Sequence, residues 1–279
     1  MPAINELTRQ KIKAYLEVFI ENKVQDYKHR KIPIFEETSA YLVKRSKPGR
    51  LKPFHAAIIP EPIMRINAFE RGFSTSLGTT FEECARLIAL DHHQYAERGY
   101  DVTGSVSQAS ANEIEHQVSF YDRDVQEGIS KPSLTQMITK VLEAREEGDL
   151  EKRTVRADLY ILTYEGRELF FEIKSPKPNK GQCFEVTQRL LRFHLLRGQN
   201  RPDVCAYFAM AYNPYGADRA SYRWSIPKKY MPFDSIVVIA QDFWTLVGGP
   251  TTYQELIEIY RTVGKEKSKY ILDALAFGF

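Results

Sequence analysis

Val155-Arg156-Ala157-Asp158-Leu159-Tyr160-Ile161-Leu162-Thr163-Tyr164 is followed by Glu165-Gly166-Arg167 and then by Leu169-Phe170-Phe171-Glu172-Ile173-Lys174. Both outer runs are rich in the aliphatic and aromatic residues that suit strands, and the three residues between them have turn chemistry. The stretch therefore reads as a β-hairpin. Side chains alternate along a strand, so Glu172 and Lys174 share one face while Phe171 and Ile173 point to the other. With the turn at Gly166 and Arg167, paired positions sum to about 332 or 333, which sets Asp158 across from Lys174 or Ser175.

Beyond Lys174, the turn-rich segment from Ser175 to Gly181 leads into a helical pattern over 183–197 and an apolar strand over 204–212. Upstream, Phe81, Cys84, Ala85 and Ile88 recur at helical spacing over 79–96. Thr79 or Thr80 is placed there as an N-cap, with Glu82 and Glu83 in the first turn. A second helix is expected over 134–147, a short strand over 236–240, and helices over 253–260 and 265–276. Ile12, Tyr15, Leu16, Phe19, Ile20 and Val24 form the stripe of an N-terminal helix over 5–29. Five prolines between 30 and 75 predict loops, short strands and one short helix over 36–43. The expected architecture is a mixed α/β sheet flanked by helices, with helical additions at both ends. Residues 1–70 read as an N-terminal helical and loop extension, and 71–279 as the main domain.

Hydrophobic residues make up 43% of the 279, enough for a sizeable core. No run is long and apolar enough to span a bilayer, and Cys84, Cys183 and Cys205 have no paired spacing, so a cytoplasmic protein with buried thiols is expected. The net charge of +3 conceals clustering: residues 175–230 hold ten Lys and Arg against three acids, and 111–151 hold four against ten. A further basic stretch runs from Lys44 to Lys52. His92-His93 and Glu115-His116 lack a third ligand at useful spacing and read as surface or helix-end residues. Trp224 and Trp244 read as core or interface aromatics.

Two carboxylates side by side on a sheet repel one another, and a divalent cation is the simplest compensation. Magnesium takes a few carboxylate and carbonyl oxygens and keeps several waters, so Asp158, Glu172 and the backbone carbonyl of Ile173 are its candidate ligands. There it would polarise a phosphate and acidify a bound water, with Lys174 positioning or deprotonating that water. Glu21-Asn22-Lys23 and Asp26-Tyr27-Lys28 repeat the acid-x-Lys pattern, but both fall in the N-terminal helix and lack a hairpin partner.

Asp158 followed across a turn by Glu172-Ile173-Lys174, within the order helix, hairpin, strand, helix, strand, resembles the PD-(D/E)xK nuclease superfamily. Arg156-Ala157-Asp158 replaces its Pro-Asp form. Glu172-Ile173-Lys174-Ser175-Pro176-Lys177-Pro178-Asn179-Lys180-Gly181-Gln182 is similar to the TdeIII-type restriction endonucleases, as is Phe243-Trp244 followed by Gly248-Gly249 and Thr252-Tyr253. The likeness covers roughly residues 70–265. It implies a restriction-endonuclease-like core and a homodimeric, Mg²⁺-dependent type II enzyme. Its substrate would be double-stranded DNA with a short, partly palindromic site of the GGNCC kind, protected in the host by a companion DNA methyltransferase. It also implies an acidic residue from the first core helix, here Glu82. Lys177, Lys180, Arg189, Arg192, Arg219 and Arg223 then become candidates for holding DNA. The alternatives are a repair or structure-specific nuclease on the same core and an inactive DNA-binding protein.

Overall fold

The computed structural model describes residues 2–28, 52–148, 150–198 and 203–277. The helix expected over 36–43 and most of the basic stretch from Lys44 lie outside them. The chain divides into a larger unit, Met1–Arg9 with Phe81–Ile257, and a smaller one, Gln10–Thr80 with Glu258–Phe279.

The larger unit is built on a five-stranded mixed sheet in the order β1 (Tyr95–Ser107), β2 (Leu150–Leu162), β3 (Glu168–Ile173), β4 (Val204–Met210), β5 (Val237–Ile239). β1, β2 and β3 are antiparallel neighbours, whereas β3, β4 and β5 run parallel. Parallel neighbours need a crossover, and the helix Lys180–Arg197 supplies the one between β3 and β4. Its Phe193 ring stacks on Phe170 at 5.0 Å. On the opposite face Phe171 meets Phe243, 5.5 Å away, from the helix Gln241–Gly248. Both faces of β3 are thus covered, which explains why all six of its residues are buried.

The crossover helix starts at a capping box in which Asn179 and Gln182 exchange side-chain and backbone hydrogen bonds, each 2.9 Å. This box fixes where the chain leaves the hairpin. Asn179→Ala is expected to cost about 1 kcal/mol and lower the melting temperature by about 2–4 °C. Calorimetry showing an unchanged melting point would mean that the cap contributes nothing.

Several features depart from the sequence reading, among them a short helix, Pro53–Ile58, where loops and short strands are expected. The helix expected to begin at Thr79 runs from Glu61 to His92. Its Ser/Thr-rich segment does not cap it: Thr75, Thr79 and Thr80 hydroxyls each donate to a carbonyl three or four residues back, at 2.7 Å. β1 and the helix Gln108–Glu127 occupy a region without an expected element. The two C-terminal helices are one, Thr252–Phe277.

In the smaller unit the expected apolar stripe of the helix Glu6–Lys28 is buried except for half-buried Tyr15, with Phe19 edge-on to Phe73 at 5.2 Å and Tyr27 to Phe69 at 5.5 Å. Asp26 and Lys23 pair with each other on this helix, so the competing acid-x-Lys motifs belong to a helical surface. Cys84 and Cys183 are buried and Cys205 is half-buried, all free. No helix among the described residues is long and apolar enough to cross a membrane.

Candidate active site

The hairpin closes at Leu162 and Glu168 around a five-residue loop, because Thr163 organises it at both ends. Its N–H donates to the Arg167 carbonyl at 2.9 Å, and its hydroxyl accepts from the Arg167 N–H at 3.1 Å. Gly166 turns the chain at φ +83 and donates to the Thr163 carbonyl. The strand pairs run from Leu162↔Glu168 to Leu159↔Phe171. Continuing by one pair sets Asp158 opposite Glu172, two or three residues from the Lys174 or Ser175 partner expected with a tighter turn.

The ladder gives way to side-chain chemistry at this point. Asp158 Oδ2 accepts the backbone N–H of Ile173 at 2.8 Å and the Lys174 ammonium at 3.3 Å. Lys174 Nζ also lies 3.3 Å from Glu172 Oε2. Asp158, Glu172 and Lys174 therefore meet, as the alternation and hairpin predicted. The Asp158 side chain is 24% exposed and that of Lys174 32%, whereas Glu172 is fully enclosed at 0%.

The crossover helix presents Arg189 to the Glu172 face of β3, and its Nη1 sits 3.2 and 3.3 Å from the two Glu172 oxygens. Even so, burial and the neighbouring Asp158 charge push the Glu172 carboxyl up to about 7, against the opposing pull of Lys174 and Arg189. Burial alone would lower the Lys174 ammonium, but Asp158 and Glu172 more than offset it and hold its pKa above the usual lysine value. The centre is an all-oxygen donor pair, balanced here by Lys174 and Arg189, in which burial makes the ionised Glu172 costly. Magnesium fits such a pair, since it is held by one or two carboxylates and keeps its waters.

Glu82 lies well inside its helix, so first-turn dipole electrostatics do not account for it. Its Oε2 accepts from Arg98 Nη2 at 2.9 Å. Glu82 and Asp158 line the same cavity of about 360 Å³, together with Arg98, Gly99, Arg156 and Ala157. Arg98 escaped notice in the sequence because its strand did.

The candidate DNA-binding residues divide. Lys177 and Arg223 are exposed, and the Lys177 ammonium lies 5.4 Å from the Tyr215 ring centre. Lys180 pairs with Asp122 at 2.8 Å and Arg192 with Glu115 at 3.2 Å. Arg189 is committed to Glu172. Arg219 donates to the backbone carbonyls of Val237 and Phe233 and pairs with Asp234, so it ties loops together. Trp224 donates to the Pro178 carbonyl at 2.9 Å and Trp244 to that of Ala211 at 2.7 Å, as packing aromatics do. His92 and His93 close their helix end against the carbonyls of Ala3 and Leu246.

A carboxylate pair with a lysine at the broken end of a hairpin is the arrangement expected of a nuclease, and comparison with known proteins agrees. The family model described as "Type II restriction endonuclease, HinfI" matches residues 4–264. The chain belongs to the HinfI family of type II restriction endonucleases. Two curated relatives from Herpetosiphon aurantiacus, the type II restriction enzymes HgiEI and HgiBI, are each 52% identical to it over 273 residues, 98% of this chain and 99% of theirs. The HinfI-family match takes in both hairpin strands and the helix that carries Glu82. Membership bears out the kinship with type II restriction endonucleases expected from the hairpin and the residues after it.

Proposed function

We propose that this protein hydrolyses phosphodiester bonds of double-stranded DNA at a short, partly palindromic site of the GGNCC kind. Asp158, Glu172 and Lys174 form its catalytic centre, and Glu82 supports it. The observation that carries this reading is the convergence of the three side chains where Asp158 replaces a strand partner by accepting the Ile173 N–H.

Asp158, Glu172 and the Ile173 carbonyl would hold magnesium. The bound ion would supply Lewis-acid charge beside the scissile phosphate and favour ionisation of a water at neutral pH. Lys174, kept protonated by its two carboxylate neighbours, orients that water and offsets charge on the phosphate oxygens in an in-line displacement. Arg189 anchors Glu172 by neutralising part of its charge, and Arg98 does the same for Glu82. Lys177 and Arg223, exposed beyond the hairpin, are the best placed of the basic candidates to meet phosphates.

One such centre per chain cuts one strand, so a palindromic duplex calls for two copies related by a twofold axis. Host DNA carrying the site needs protection, which a companion methyltransferase in the same cytoplasm provides. The test is digestion of several plasmid and phage DNAs by the purified protein with magnesium, beside EDTA and Asp158→Ala controls. Discrete bands that vanish in both controls are expected, and they map the site. Smeared products, or DNA binding without cutting, would sink the restriction reading.

A further inference from the structure

Arg156 and Asp158 are two residues apart in β2, so their side chains leave the same face of the sheet, about 6–7 Å apart along the strand. Opposite them, β1 contains Gly99 at φ +60, a left-handed conformation inside a thirteen-residue strand. A glycine of this kind within a strand marks a bulge or a place where another group comes close to the backbone. Here that group is the Arg156 guanidinium. A Cβ on Gly99 would stand 2.5 Å from Arg156 Nη2, 2.7 Å from Nε and 3.0 Å from Cζ. Arg156 therefore rests on bare backbone and lines the cavity that it shares with Glu82, Arg98 and Asp158.

The two arginines of this cavity differ in what they hold. Arg98 is committed, with Nη2 2.9 Å from Glu82 and Nη1 3.3 Å from Glu83. Arg156 is exposed, and among the described residues no carboxylate pairs with it. A planar guanidinium with free donors, held over a glycine beside a carboxylate centre, is suited to a tetrahedral anion approaching that centre.

We propose that Arg156 is a substrate-binding residue that grips a DNA phosphate beside Asp158, seated where position 99, whose φ of +60 already favours glycine, carries no Cβ. The proposal rests on the nuclease reading above and extends it to a residue of the hairpin strand itself. Because Arg156 is exposed, Arg156→Gln should leave folding intact.

The test uses the full-length protein and a short duplex carrying the mapped site, with calcium in place of magnesium so that binding is read without cutting. Arg156→Gln is expected to weaken binding about ten- to a hundredfold. It should also flatten the dependence of log affinity on log salt by about one for each protomer bound, while Arg156→Lys keeps most of that slope. If the wild-type protein cuts its site but Arg156→Gln keeps the wild-type affinity or salt slope, the proposal is overturned and the nuclease reading stands. A wild-type protein that cuts nothing overturns the nuclease reading, and the proposal with it.

Discussion

Asp158→Asn is expected to lower DNA cleavage at least about a thousandfold while leaving the protein folded and able to bind DNA. The magnitude follows from what the change removes: one carboxylate charge from a two-carboxylate centre, where each 1.4 kcal/mol lost from transition-state stabilisation is about tenfold in rate. Asparagine is a sharper choice than alanine because Asp158 has two roles. Its Oδ2 accepts the Ile173 N–H at the end of the hairpin, and its charge pairs with Lys174. The amide oxygen of asparagine keeps the first interaction and lacks the second. Alanine would leave the Ile173 N–H without its acceptor and mix a structural cost with the catalytic one. With one negative charge fewer, the variant should bind duplex DNA in EDTA at least as tightly as the wild type. Single-turnover cleavage measured beside binding decides the matter. A variant that cuts within tenfold of wild type would remove Asp158 from the centre.

How much of this centre could be read from the sequence depends on which forces set it. Hairpin alternation is local, and it brought Glu172 and Lys174 to one face and Asp158 close to them. The register differs from that expected by two or three residues because the Thr163 hydroxyl and amide both bond to Arg167, which enlarges the loop. That is side-chain chemistry a strand pattern does not contain. β1 was illegible for a different reason: Glu97, Arg98, Gly99 and Asp101 erase the apolar alternation in a strand at the sheet edge, and they do so beside the cavity. The helix carrying Glu82 starts earlier than its pattern suggests because its threonines can cap or bond back to their own helix, and only tertiary context selects between these. Arg189 belonged to a basic cluster in sequence, yet packing of its helix on β3 turned it inward to Glu172.

Glu172→Gln is the change expected to separate function from stability most widely. In the metal-free protein the Glu172 side chain is 0% exposed, and burial with the Asp158 charge raises its pKa from 4.5 to about 7. A rise of that size corresponds to about 3 kcal/mol of cost for holding the group ionised in the fold. Between pH 4.5 and about 7 the native state keeps a proton that the unfolded chain has already released. Stability therefore falls as pH rises through that window and levels off above it. Glutamine has no proton to lose, so the variant lacks this fall. That shift is already net of the attraction of Arg189 and Lys174, and what is returned is the mismatch of the glutamine NH2 group, which replaces an acceptor oxygen beside these cations. The net expectation in EDTA at pH 8 is a variant more stable by about 1–2 kcal/mol, melting about 3–6 °C higher, and cutting at least about a thousandfold more slowly with magnesium. Magnesium should raise the melting temperature of the wild type and leave that of the variant nearly unchanged. Thermal melts of both proteins from pH 5 to pH 8, with and without magnesium, test each part, since pH effects elsewhere in the chain cancel in the difference. A variant that melts lower than wild type at pH 8 in EDTA would make Glu172 a stabilising ion-pair partner. The carboxylate pair would then need no cation to account for it.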